Sequence, residues 1–121
     1  MRLREMDERT TYMEQLQADD GPVVLINQFN LEPDDVEAFL DVWADDAAYM
    51  KAQPGFISTQ LHRGTAGSTT FVNVALWESA QALGAAFASP EFQRAVDRYP
   101  ENAVAAPHVF ERVAVPGVCV A

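Results

Sequence analysis

The chain has 121 residues, 49% of them hydrophobic, which fits one compact domain and leaves little room for a second. Eighteen acidic residues against eight basic ones give a formal net charge of -10, which argues against binding to nucleic acid or to anionic membranes. The single cysteine, Cys119, excludes an internal disulfide, and without CxxC, HExxH or a glycine-rich phosphate loop we expect no metal or nucleotide site built by the protein.

The first half of the chain predicts an extension, a strand and a helix. Residues 1–21 are polar and acidic and predict an N-terminal extension, either a tail or a peripheral helix. Residues 23–31 predict a strand, and the proline and acids of residues 32–35 suit the first turn of a helix. Apolar residues then recur at three- and four-residue intervals up to Pro54, which predicts an amphipathic helix of about four turns.

The second half predicts a hairpin, a broken helix and a last strand. Residues 56–63 and 69–77 read as hairpin strands joined by a turn, and residues 108–115 as the final strand. Between them a helix begins at Ser79 and breaks where Ser89 can cap and Pro90 can start a further short helix. The order β-α-β-β-α-β predicts an α+β, ferredoxin-like fold with a four-stranded antiparallel sheet and both helices on one face. We expect the domain to span residues 22–116, with residues 117–121 as a tail.

The second face of such a sheet would be uncovered. Four strands about 4.8 Å apart and about 25 Å long make a face of roughly 500 Å², more than monomers usually expose as an apolar patch. Both sides of the first and third strands are rich in hydrophobic residues. Covering the spare face contributes on the order of 10 kcal/mol per protomer before association costs, so a sheet-to-sheet homodimer is expected.

Two asparagines stand out because each lies inside an apolar strand. Asn27 sits in Val-Val-Leu-Ile-Asn-Gln-Phe and Asn73 in Phe-Val-Asn-Val-Ala-Leu-Trp. Asn is depleted in strands, and burying its amide without partners costs roughly 1–3 kcal/mol. A single strand asparagine is more often a satisfied or edge residue than a ligand. Two of them together indicate groups that bind something.

Residues 22–115 resemble the antibiotic biosynthesis monooxygenase family, whose members form dimeric α+β barrels. The resemblance rests on Asn27-Gln28-Phe29, the helix with Phe39, Trp43 and Tyr49-Met50, Pro54-Gly55-Phe56, Leu61-His62-Arg63, the strand from Phe71 through Trp77-Glu78-Ser79, and Ser89-Pro90-Glu91-Phe92. It implies a homodimeric, cytoplasmic monooxygenase that acts on a polycyclic aromatic substrate of the polyketide or quinol type. No apolar run reads as a signal peptide or a spanning helix, which agrees with a cytoplasmic location.

The resemblance implies particular site residues. In the family's cofactor-free anthrone oxygenases an Asn followed four residues later by Trp lines the pocket, and Asn73 and Trp77 match that pair. Positions i and i+4 of a strand face the same way about 13 Å apart, so they can contact opposite ends of a flat ring system. The pocket tyrosine that follows the Trp in those enzymes is missing from residues 80–83. The histidine that ligates iron in the haem-degrading branch is missing from residues 92–99, which disfavours haem degradation.

The expected catalytic set is Asn73, Trp77 and His62. His62 is the candidate base, because histidine is the side chain that ordinarily gains and loses a proton near neutral pH. The adjacent Arg63, a candidate to stabilise the enolate, is the alternative pocket residue, because neighbouring strand residues face opposite ways. The expected substrate-binding residues are Asn27, Phe29, Trp43, Tyr49 and Phe87. No metal is expected.

The sequence leaves alternatives open for the reaction. The oxygen-activating partner is either the substrate carbanion, with no cofactor, or a reduced flavin supplied by a separate reductase. A non-oxidative polyketide cyclase of the same architecture would release water and consume no oxygen. A dimeric barrel that binds a hydrophobic ligand without turning it over would share the fold.

Overall fold

The computed structural model describes residues 1–18 and 21–121. The strands are β1 (Arg2–Leu3), β2 (Val23–Asn30), β3 (Phe56–Arg63), β4 (Thr70–Trp77) and β5 (Val104–Phe110). The helices are α1 (Tyr12–Gln15), α2 (Val36–Lys51), α3 (Ala80–Phe87) and α4 (Pro90–Val96), and a 3-10 turn at Pro33–Asp35 precedes α2. From β2 onward the elements follow the predicted β-α-β-β-α-β order.

The sheet confirms the ferredoxin-like α+β fold, with one correction. Its strand order is β1-β5-β2-β4-β3, so it has five strands and not the four expected. All neighbours are antiparallel except β1, which runs parallel to β5. The backbone N–H groups of Arg2 and Arg4 donate to the carbonyls of Ala103 and Ala105. A strand of two residues is too short to show the alternation by which strands are recognised, which explains why it was missed.

The last strand was predicted too late in the chain. It was expected at residues 108–115 but pairs with β2 from Val104 to Phe110, and residues 111–121 are exposed. Small side chains such as Ala105 and Ala106 carry a weak strand signal, and Pro107 argues against a strand interior. The proline fits because the backbone groups of Ala105 and Val109, two residues to either side, bond away from β2 toward the N-terminal segment. Pro107 therefore removes no bond of the β2 ladder.

The helix break in the second half confirms the prediction. The hydroxyl of Ser79 accepts from the N–H of Ala82 at 3.1 Å, and the hydroxyl of Ser89 accepts from the N–H of Phe92 at 3.2 Å. Pro90 occupies the first turn of α4, where a missing N–H costs nothing. Gly55, with φ of 86°, lies so close to α3 that a Cβ there would come within 2.4 Å of the Ala82 Cβ. The turn before β3 therefore requires glycine.

The core is divided into two clusters on the helix-bearing face of the sheet. Odd-numbered residues of β2 and β4 face the helices, and their even-numbered neighbours face the uncovered side. One cluster contains Tyr12, Leu16, Val23, Leu25, Trp77 and Leu83. The other contains Phe29, Leu31, Phe39, Val42, Phe71 and Tyr99. The space between the two clusters lies over the middle of β2 and β4.

The N-terminal residues pack against the domain. Tyr12 and Leu16 are buried in the first core cluster, next to Gly84 of α3, which leaves room for Leu16. The side-chain amide of Gln15 donates to the carbonyl of Val109 at 2.8 Å and accepts from its N–H at 2.9 Å. This amide therefore continues the edge pairing that β1 begins. Across residues 1–18 and 21–121, no helix has the length and apolarity needed to cross a membrane.

Candidate active site

A cavity of about 110 Å³ lies between the two core clusters. Its lining includes six of the eight predicted site residues, namely Asn27, Phe29, Trp43, Asn73, Trp77 and Phe87. The strands β2 and β4 form its floor, and α2, α3 and α4 contribute its walls. The positions agree with the prediction for these six residues, while their roles stay predictions.

The floor of the cavity is a polar pair set between apolar rows of the sheet. Asn27 and Asn73 are direct cross-strand partners of β2 and β4. On one side the next pair that faces the helices is Leu25 with Ala75, and on the other side it is Phe29 with Phe71. Cross-strand partners have Cβ atoms about 4.5–5.5 Å apart, so a single ligand can contact both amides.

The two amides differ in their hydrogen-bond partners. The hydroxyl of Thr59 donates to Oδ1 of Asn73, which leaves the Nδ2 hydrogens of Asn73 as the donors for a ligand. Oδ1 of Asn27 is buried and has no hydrogen-bond partner in the described part of the chain. A donor and an unpartnered acceptor therefore lie side by side. Such an arrangement suits a planar ligand that carries a carbonyl next to a hydroxyl group.

Aromatic side chains enclose this polar floor. Trp77 is only 1% exposed and packs edge-to-face on Phe56 with ring centroids 5.4 Å apart. Phe87 packs at right angles against Tyr12, with centroids 5.2 Å apart. Trp43 of α2 lines the cavity and packs against the second core cluster. These flat apolar walls suit an aromatic ligand.

Asp46 is a site residue that the sequence interpretation missed. Asp46 lines the cavity from α2 and is only 8% exposed. Oδ2 accepts a hydrogen bond of 2.8 Å from the Tyr99 hydroxyl, whereas Oδ1 is buried and unpartnered in the residues described. Burial raises the pKa of Asp46 to about 6, against the opposing effects of the Tyr99 hydrogen bond and the Arg98 charge. The spacing along α2 was the signal that could have identified Asp46, because it follows the buried residues Phe39 by seven positions and Val42 by four and so lies on the same side of the helix.

Tyr12 is a second site residue that was missed. It reaches the cavity from the N-terminal segment and is 4% exposed. Burial raises the pKa of its hydroxyl well above the ordinary value, so it stays protonated and can only donate or accept a neutral hydrogen bond. No local pattern in residues 1–18 indicates this position, since the contact forms only in the tertiary fold.

Two predicted site residues lie outside the cavity. His62 is exposed and pairs with Val72, so its side chain points to the face of the sheet opposite the helices. Tyr49 is turned toward α4, where its hydroxyl donates to Glu91 at 3.3 Å. Arg63, the alternative to His62, lies over the ring of Phe71 and is exposed at the sheet edge. Neither His62, the candidate base, nor Arg63, its alternative in the pocket, is among the residues that line the cavity.

Metal-binding side chains do not cluster in the described part of the chain. Within residues 1–18 and 21–121 no group of three or more His, Cys, Asp or Glu side chains is arranged to hold an ion. Asp46 is paired with a tyrosine and not with a second carboxylate.

Comparison with known proteins agrees with the fold. Residues 22–98 match the family model of the antibiotic biosynthesis monooxygenases, and the chain belongs to this family. The deoxynogalonate monooxygenase of Streptomyces nogalater is 34% identical over 74 residues, which are 61% of this chain and 62% of that enzyme. This chain therefore matches less than two thirds of that enzyme's length.

Solved structures show the same architecture. SnoaB, a cofactor-independent oxygenase from Streptomyces nogalater, superposes with a TM-score of 0.71 at 25% identity, covering 81% of this chain and 99% of SnoaB. Rv0793 from Mycobacterium tuberculosis superposes with a TM-score of 0.65 at 21% identity, covering 79% and 99% of the two chains. The second likeness shows the fold alone.

Proposed function

We propose that the protein is a cofactor-independent monooxygenase that oxidises a planar polycyclic phenol of the anthrone type. The observation that carries the proposal is the Asn27 and Asn73 pair, a free acceptor beside a free donor at the floor of an aromatic cavity. Family membership and the likeness to a cofactor-independent oxygenase support it. The substrate class agrees with the flat walls formed by Trp43, Trp77 and Phe87.

The chemistry follows from the electronic structure of oxygen. Triplet O2 reacts slowly with closed-shell molecules unless an electron-rich partner first gives it one electron. A deprotonated anthrone is such a partner: it transfers one electron, the radical pair combines to a peroxide at the ring carbon, and the peroxide breaks down. The net reaction is anthrone plus O2 to anthraquinone plus water. One oxygen atom enters the substrate and the other leaves as water.

The protein's part is to favour the anion. In this proposal the Nδ2 hydrogens of Asn73 donate to the substrate carbonyl oxygen, which gains negative charge through conjugation when the methylene carbon on the opposite side of the central ring loses its proton. Donors fixed in place before the reaction stabilise such charge most effectively where water is excluded. Oδ1 of Asn27 accepts from an adjacent phenol hydroxyl, which orients the ring. Trp77 and Phe87, which also line the cavity, contact the apolar part of the ring system.

The cavity volume limits how the substrate is placed. A cavity of about 150 Å³ is known to hold benzene, so the 110 Å³ here accommodates only the reacting part of a fused ring system. Among the lining residues, Leu3 and Gln93 are exposed and mark the mouth beside α4. We expect the rest of the substrate to extend through this mouth, over the N-terminal segment and α4.

The experiment that tests the function is oxygen consumption with dithranol, a dihydroxyanthrone, in buffer free of flavin and metal. Uptake accompanied by quinone formation that depends on the protein and is unchanged by a chelator supports the proposal. Because free reduced flavin consumes oxygen by itself, the flavin arm measures the quinone: protein-dependent quinone formation only when reduced flavin is supplied would make the protein a flavin-dependent oxygenase. Tight binding of dithranol with no protein-dependent quinone formation under either condition would make it a binding protein and contradict the proposal.

We also propose that the active form is a homodimer. The uncovered face of the sheet carries Val24, Ile26, Val72, Val74 and Leu76, whose side chains point away from the helices. Of these, Leu76 is 38% exposed, and Phe110 at the neighbouring strand is 36% exposed. A second copy placed sheet to sheet would cover this surface, which is apolar enough to favour association.

A further inference from the structure

We propose that Asp46 is the base that removes the proton from the substrate carbon, and that Tyr99 positions its carboxylate for this step. The inference rests on the proposed function, because it assigns the proton acceptor for the same reaction. It replaces His62, whose side chain lies on the other face of the sheet.

The geometry of the carboxylate carries the inference. Asp46 is a cavity-lining residue in which one oxygen is fixed and the other is free: Oδ2 accepts from the Tyr99 hydroxyl at 2.8 Å, and Oδ1 is buried without a partner in the described chain. A base must have an unpaired acceptor within reach of the substrate and a fixed orientation. The carboxylate belongs to α2, while Asn27 and Asn73 belong to the sheet. A ring bound between these layers has its donors on one side and its proton acceptor on the other.

The surroundings of Asp46 keep it basic enough for this role. The charged and titratable groups near Asp46 include Tyr99 and Arg98, and Arg98 also pairs with Asp45 at 2.9 Å. They also include the Tyr12 hydroxyl and the Met1 amino group, which belong to residues that line the same cavity. Burial is the largest effect and raises the pKa of Asp46 to about 6. This pKa is closer to pH 7 than that of an exposed carboxylate, so Asp46 is a stronger base and is still ionised at pH 7. Burial and the adjacent carboxylate raise the pKa of Tyr99, so Tyr99 remains a donor and is not itself the base.

The proton balance of the reaction closes through Asp46. Oδ1 takes the proton from the methylene carbon, and the electron pair of the broken C–H bond delocalises to the substrate oxygen held by Asn73. After O2 adds, Asp46 returns this proton to the peroxide. While the O–O bond breaks, Asp46 removes the remaining hydrogen of that carbon as a proton. The departing hydroxide takes this proton and leaves as water. A neutral Asp46 beside the substrate anion also avoids repulsion between two negative charges.

The test is exchange of the dithranol methylene hydrogens with solvent in deuterium oxide, followed by NMR without oxygen. The wild-type protein should accelerate exchange, and Asp46→Asn should lower the accelerated rate by about 10²-fold or more, the usual contribution of a positioned base. Asp41→Asn, the same change on the exposed side of α2, is the matched control and should exchange like wild type. Quenching of tryptophan fluorescence by the quinone product shows that each variant folds and binds.

The pH profile gives a second readout. The wild-type exchange rate should rise with pH and level off above the Asp46 pKa of about 6. Because the Tyr99 hydrogen bond lowers this pKa, Tyr99→Phe should move the midpoint to higher pH, which loss of packing alone would not do. Should Asp46→Asn fail to fold, this midpoint decides the question, and an unshifted midpoint overturns the assignment.

The outcomes separate this inference from the proposed function. Exchange that Asp46→Asn leaves undiminished, or no exchange with the wild-type protein, overturns Asp46 as the base. Exchange that depends on Asp46 but is not followed by oxygen consumption in air supports Asp46 and overturns the monooxygenase proposal.

Discussion

Asn27 and Asn73 face each other across β2 and β4, yet only Asn73 has a partner for its carbonyl oxygen, the hydroxyl of Thr59. A buried acceptor without a partner costs about 1–3 kcal/mol, so Asn27 lowers the stability of the unliganded protein. Such a cost is typical of a site in which binding provides the missing hydrogen bond.

Replacing Asn27 by an apolar residue should therefore stabilise the protein and weaken substrate binding. Asn27→Leu should raise the free energy of unfolding by about 1–2 kcal/mol, because the unpartnered oxygen is removed at similar volume. Thermal unfolding and the Kd for the quinone product measure the two effects. Asn30→Leu is the matched control: Asn30 accepts from the Thr70 hydroxyl at 3.0 Å, so the same change there should destabilise the fold. A loss of stability in Asn27→Leu would contradict the account.

Asn73→Ala should slow oxidation far more than it weakens binding. Loss of one donor to a developing oxyanion costs about 10²–10³ in kcat. Oxygen consumption with dithranol gives kcat, and tryptophan quenching by the quinone product gives affinity. Asn30→Ala, on the same sheet but outside the cavity, should keep the wild-type rate. An equal loss in both variants would show that the rate follows stability and not the amide of Asn73.

The stability of the protein should depend on pH through Asp46. Folding raises the pKa of Asp46 from 3.8 to about 6, so between these values the folded protein holds the proton more tightly than the unfolded chain. The stabilisation is complete below the lower value and is lost as pH rises through the upper one. Urea unfolding should show Asp46→Asn gaining about 2–3 kcal/mol relative to wild type between roughly pH 4 and pH 7. Parallel curves for the two proteins would contradict the raised pKa.

Gln15 should contribute to stability although it precedes the region matched by the family model. Gln15→Ala leaves the N–H and carbonyl of Val109 without their partner and should cost about 1–3 kcal/mol in urea unfolding. Gln17→Ala changes the same residue type at an exposed position and should be neutral within about 0.5 kcal/mol. Equal effects in the two variants would show that the N-terminal segment does not complete the sheet edge in solution.

The uncovered sheet face should form the dimer contact. Light scattering on the wild-type protein should give twice the chain mass of 13.3 kDa. Val74→Glu places a charge in the middle of that face and should give the monomer mass, whereas Ala44→Glu on the exposed side of α2 should leave the dimer intact. A monomeric wild-type protein would contradict the homodimer, and a dimeric Val74→Glu variant would contradict the sheet face as its contact.

The floor of the site was predictable from sequence, because strands alternate with a period of two. The spacing of Asn73 and Trp77 places them on one face whatever the rest of the fold does. Alternation also separates His62 from Arg63, but it does not say which face the helices cover. That is decided by the pairing of His62 with Val72, a contact between strands that no local pattern contains.

The residues that line the cavity from outside the sheet were harder to predict from the sequence. Asp46 lies among the acids of α2 and was not singled out from the sequence, although its spacing from Phe39 places it on the buried stripe. Tyr12 reaches the cavity only because the N-terminal segment returns to the sheet edge through β1 and Gln15. Contacts of this kind depend on tertiary packing and leave no periodic signal.

The most direct test of the central claim is mass spectrometry of the product formed from dithranol and isotopically labelled O2, in buffer free of flavin. The account predicts the quinone, in which one labelled oxygen replaces two hydrogens, formed at a rate that depends on the protein. Recovered substrate, a product that has lost water without gaining oxygen, or a quinone whose new oxygen is unlabelled would contradict it.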